Sequence, residues 1–149
     1  MSNSSASLPR KFGLIVFSFV FIAAGIYHFT EAEGFTAMLP DFIPWRAAII
    51  YLTGVLEWIL AIFLFIPSIR HKTGVVIAWY LVLIFPANIY AAFASIPAPG
   101  FESSPPWALW VRLIFQPLLI CWILWATKLP YRANNGYVLS NDLQNKLKH

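Results

Sequence analysis

Residues 75–96, VVIAWYLVLIFPANIYAAFASI, constrain this chain more than any other stretch. The run is long and apolar enough to cross a bilayer as a helix, which takes about 20 such residues. It nevertheless carries Pro86 and Asn88 within it. In hydrocarbon a helix breaker and an unmasked amide both need protein neighbours to satisfy them. A run of this kind therefore predicts other helices packed around it.

Composition agrees with lipid as the solvent. Of 149 residues, 60% are hydrophobic and only 11% are charged, against about a quarter charged in soluble domains. Mean hydropathy is +0.71. A soluble fold of this size cannot bury so much apolar surface. Aromatics make up 17%, with seven Trp, which suits two interfacial belts. The lone Cys121 excludes an intramolecular disulfide and a CxxC redox pair. The net charge of +4 lies near the ends of the apolar runs, so it points to topology rather than to nucleic acid.

Four apolar runs predict an all-α, integral membrane, antiparallel four-helix bundle. The expected spans are about 12–30, 44–67, 73–95 and 105–127, in a single domain covering 12–127. Residues 1–11 and 128–149 read as polar cytoplasmic tails. The start of the chain lacks a basic n-region and a small-residue cleavage site, so the first run is expected to stay as a helix. After it, Phe35, Met38 and Leu39 fall at helical spacing and predict a short amphipathic segment on the membrane surface. Pro44 suits the first turn of the second span. The short link Ser68–Lys72 makes the second and third spans antiparallel neighbours. Ser103 or Ser104 before Pro105 and Pro106 reads as the cap of the fourth.

Lys and Arg near the span ends set the orientation. Arg10, Lys11, Arg70, Lys72, Lys128 and Arg132 fall on one side. Glu31, Glu33, Asp41 and Glu102 fall on the other, with Arg46 as the one nearby base. Both termini are therefore expected in the cytoplasm.

Each span carries polar residues, and depth along a helix follows from a rise of about 1.5 Å per residue. His28 lies near the outer end of its span. Asn88 falls roughly 10 Å below the outer end, Arg112 roughly 8 Å, Gln116 roughly 14 Å and Glu57 roughly 18 Å. Side chains lean toward the N-terminus of their helix, which draws His28, Glu57, Asn88, Arg112 and Gln116 toward one level in the outer half. Small residues share their faces: Ala24 and Gly25 with His28, Gly54 and Ala61 with Glu57, Ala91 and Ala92 with Asn88. Close helix contact in membranes uses such residues. Pro86 and Pro117 are expected to kink their helices and to free the carbonyls of Val82 and Leu113.

Two readings stand beside each other for this cluster. Glu57 and Arg112 form an ion pair that locks two helices, or Glu57 handles a proton or ligand. Arg112 also lies close enough to the surface to snorkel to lipid phosphates. Asn88 serves as interhelical glue, and His28 is near enough to the interface to be solvated. His71 and His149 lie on the side opposite His28, so no metal or haem site is expected.

GIYHF, then MLPDFIPW, TGVLEWILAIFLFIPSIR, FPANIYAAF and RLIFQPLLICWIL, in that order from about Gly25 to Leu124, resemble the DoxX-like group of four-helix membrane proteins. The PAN segment and the R-x-x-x-Q spacing are the most specific parts. The resemblance implies a bacterial plasma-membrane protein. It also implies a link to quinones, through the small membrane subunit of a thiosulfate:quinone oxidoreductase, or a role in assembling protein complexes. It assigns no catalytic role to the five polar residues, and no cofactor is evident in the chain itself.

Two functions are thus expected to compete. One is a non-catalytic subunit or assembly partner that contacts lipid and another membrane or membrane-associated protein. The other is a membrane subunit of a quinone-linked oxidoreductase, with a small-molecule site at the polar cluster. A cavity wide enough for a ring, with a Trp or Phe wall, discriminates in favour of the second.

Overall fold

Lipid-compatible sequence leaves the backbone no hydrogen-bond partner but itself, so long apolar runs fold as helices. The computed structural model describes residues 8–128. Its elements are α1 (Leu8–Thr30), α2 (Ala32–Ala37), α3 (Arg46–Phe63), α4 (Arg70–Phe93) and α5 (Pro106–Thr127). Four of the five, α1, α3, α4 and α5, are long and apolar enough to cross a membrane. The chain has the all-helical form of a multi-pass membrane protein. Asn134–Gly136, Tyr131, Arg132 and His149, read above as tail residues, lie outside the described residues.

The helix ends differ from expectation for local reasons. α1 begins at Leu8 and so includes Arg10 and Lys11; Pro9 in the first turn gives up no helical N–H. The Arg10 guanidinium donates to the carbonyl of Lys128, beside the end of α5. Pro44 does not open α3. Trp45 takes a left-handed conformation, φ 53°, which breaks helical continuity, and the helix starts at Arg46. α3 closes at Phe63, four residues before Pro67. Arg70 supports this end, with Nε donating to the Leu64 carbonyl at 2.8 Å. α5 is not capped by a serine side chain. Pro105 stands at the cap, and Ser104 Oγ instead accepts from the Ala98 N–H at 2.9 Å, closing the preceding loop.

Packing order follows the small residues. α1 packs most extensively on α3, α4 on α5, and α1 also on α5. A Cβ at Gly25 would fall 2.8 Å from the Gly54 carbonyl, so only glycine allows α1 and α3 to approach this closely. Trp58 Nε1 donates to the Ile22 carbonyl across the same seam at 3.2 Å. α3 and α4 are joined by the shortest link between long helices, yet they pack only sparingly. A short link brings helix ends together without forcing their lengths into contact.

The apolar core, including Phe17, Phe21, Leu60, Leu64, Ile77 and Ile123, fills the part of the bundle remote from α2. Large apolar side chains such as Phe19, Leu52, Ile62, Trp79 and Ile114 face outward, as lipid-facing surfaces require. Pro86 and Pro117 lie inside helices that continue through them. α2 folds onto the bundle, with Gly34 lodged against Pro99.

Candidate functional site

Near α2 the bundle loosens, and there the polar side chains collect. His28, in the last turn of α1, directs Nδ1 at the Ile50 carbonyl (3.2 Å) and at Thr53 Oγ1 (3.0 Å) on α3. Thr53 spends its own hydroxyl proton on the Ile50 carbonyl at 2.7 Å. The pattern therefore assigns the Nδ1 proton to His28, as donor to both oxygens. Nε2 is left facing Glu57, 3.7 Å from Oε1. Glu57 is only 4% exposed, and Tyr80 on α4 donates its hydroxyl to the same oxygen at 2.7 Å. Glu57 Oε2 is buried without a hydrogen-bond partner among the described residues.

Of the proton placements open to the pair, two balance its charge, an imidazolium facing a carboxylate and a neutral imidazole facing a carboxylic acid. Both are neutral overall, and low dielectric strongly favours that balance. Phe35 of α2 stacks on the His28 ring, with centroids 4.1 Å apart and planes 19° apart, and fixes its orientation.

The expected Glu57–Arg112 ion pair does not form. α3 and α5, which carry the two residues, are not packed neighbours, and the acid turns instead to α1 and α4. Arg112 directs Nη1 to Met38 Sδ at 3.4 Å. Its Nε and Nη2 are buried with no partner among the described residues.

Asn88 and Gln116 form a separate unit. Asn88 Nδ2 donates to Gln116 Oε1 at 2.5 Å, and Gln116 Nε2 donates to the Leu81 carbonyl at 2.5 Å. The bond falls on Leu81 rather than on Val82, whose carbonyl Pro86 leaves without its helical donor. These bonds tie α4 to α5.

Where α3 and α4 part, a cavity of about 350 Å³ opens. His28, Asn88 and Arg112 line it, together with Thr53, Tyr80 and Phe35. Glu57 stands behind His28 and Tyr80, and Gln116 stands behind Asn88. The remaining walls are aliphatic, among them Ile50, Leu83, Ile84 and Ala87. α2 separates this cavity from an open polar depression, since Phe35 lines the former and Glu33 and Thr36 line the latter.

Sequence reasoning did not assign Thr53, Tyr80, Phe35 or Met38 to the site. Thr53 lies four residues, one helical turn, before Glu57, and that spacing is the signal that finds it. Phe35 and Met38, expected on a short amphipathic segment at the membrane surface, both line the cavity. No sequence spacing connects Tyr80 with Glu57, because the two meet only through helix packing.

Fold and cavity together define a multi-pass helical membrane protein with a mostly apolar pocket at one end, into which a few polar side chains converge. Residues 17–127 match a protein family described as a domain of unknown function (DUF8561), and the chain belongs to that family. No curated protein matches the chain, and no solved structure does.

Proposed function

We propose that this chain is an antiparallel four-helix membrane protein that holds a small, membrane-dissolved molecule in the cavity between α3 and α4. The observation that carries this reading is the cavity itself. At about 350 Å³ it has the size of small-molecule sites, which run from roughly 300 to 1,000 Å³. It joins aliphatic walls to a few converging polar groups, and Phe35 supplies the aromatic wall that discriminates in favour of a ligand site. The sparse α3–α4 packing supports access from the side, directly from lipid.

The orientation belongs to this proposal. Arg10, Lys11, Arg70, Lys72 and Lys128 at one set of helix ends support a cytoplasmic location for that face. The cavity then lies in the outer half of a plasma membrane, that of a bacterium on the ground of the DoxX-like resemblance. Kinship with that group rests on the order of the sequence blocks alone. A quinone is one member of the ligand class, and the adjacent His28 and Glu57, both able to titrate, suit its head group.

The test is purification in mild detergent, followed by mass spectrometry of small molecules that remain bound. Wild-type protein is expected to retain a defined species, and Ala87→Trp, which fills the cavity, is expected to lose it. Identical profiles for the two proteins would remove the basis for the reading.

A further inference from the structure

The net charge of the cavity narrows the ligand class, on the reading that the cavity is a ligand site. His28 and Glu57 form a neutral pair, as argued above. Arg112 adds a full positive charge, because a guanidinium does not lose its proton in proteins. Among the described residues the ion pairs are His28–Glu57 and Arg46–Asp41, so no carboxylate stands against Arg112. A buried cation without a counter-charge is costly in a low-dielectric site.

The free atoms of Arg112 identify the missing group. Nε and Nη2 are the two without partners. They form one edge of the guanidinium, with two parallel N–H bonds. That fork matches the two oxygens of a carboxylate or phosphate. Among the described residues the opposite side is held only by the Met38 thioether, a weak acceptor. Turning the side chain to present the free edge to the cavity it already lines therefore gives up little.

Beyond the head, the walls ask for an apolar stem. Ile49 of α3 and Leu83, Ile84 and Ala87 of α4 line the cavity with apolar surface, Ile49 and Leu83 forming a margin between the two helices. Leu83 is 73% exposed and Ile49 36%, so this margin faces the surroundings of the bundle.

We infer that the cavity takes a single-chain amphiphile with an oxyanion head, the head on Arg112 and the chain leaving between α3 and α4 into lipid. Carboxylate and phosphate share this chemistry, and they are separated by experiment.

Binding is measured by calorimetry on the full chain in nanodiscs of zwitterionic lipid, with decanoate, decyl phosphate, decanol and a decyl-substituted quinone as probes. Decanoate or decyl phosphate is expected to bind at least about tenfold tighter than decanol, the scale of a charge-assisted hydrogen bond. The tighter of the two acids identifies the head. Arg112→Gln is expected to reduce the acid to the level of decanol. Arg112→Lys, which keeps the charge and loses the fork, is expected to fall between. The wild-type comparison of decanoate with decanol needs no variant, so misfolding of Arg112→Gln does not spare the inference. Equal binding of acid and alcohol overturns it, as does tighter binding of the quinone; in both cases loss of binding in Ala87→Trp keeps the cavity as the ligand site. If no probe binds, or Ala87→Trp removes none of the binding, the ligand-site reading falls as well.

Discussion

The Tyr80 hydroxyl donates to Glu57 Oε1 at 2.7 Å, bridging α4 and α3 where the two helices otherwise barely touch. In a sparsely packed seam one buried hydrogen bond carries an unusual share of the connection. Among the described residues it also leaves Glu57 with a single donor and a second oxygen that has none.

Replacing Tyr80 with Phe is therefore expected to destabilise the protein by about 1–3 kcal/mol, the cost of stranding a buried acceptor. Thermal unfolding in detergent, followed by circular dichroism, measures it. A melting temperature equal to that of wild type would show that the bond contributes nothing to the seam.

Coupling between side chains distinguishes the observed partner of Glu57 from the one expected from sequence. In a double-mutant cycle, Glu57→Gln and His28→Gln are expected to be non-additive by about 0.5–3 kcal/mol, because the two side chains lie 3.7 Å apart in a buried site. Glu57→Gln and Arg112→Gln are expected to add to within about 0.5 kcal/mol. The opposite ranking would restore the Glu57–Arg112 pair.

Asn88 and Gln116 are expected to behave as one structural unit. Gln116→Leu removes the bonds to both Asn88 and the Leu81 carbonyl. Interhelical side-chain bonds in membranes are worth only about 0.6 kcal/mol on average, up to roughly 1.7. A loss in that range is expected on steric-trap unfolding, with ligand retention preserved. Loss of a bound molecule at unchanged stability would move Gln116 from the frame of the site into the site itself.

The chain itself made the class of protein legible. Whether a run of about 20 residues spans a membrane as a helix depends on local hydropathy and backbone hydrogen bonding. Both can be read from Val75–Ile96 and its three counterparts. Helix ends were less legible, because Trp45 adopts a left-handed conformation that Pro44 did not announce. Level along the bundle follows from the fixed helical rise, and of the five polar residues His28, Asn88 and Arg112 line one cavity. What depth cannot supply is the angle about each helix axis and the order of neighbours. Those were decided by the Gly25–Gly54 approach, which holds α1 against α3. That packing turned Glu57 to His28 and Tyr80, left Arg112 without an acid among the described residues and opened the space between α3 and α4.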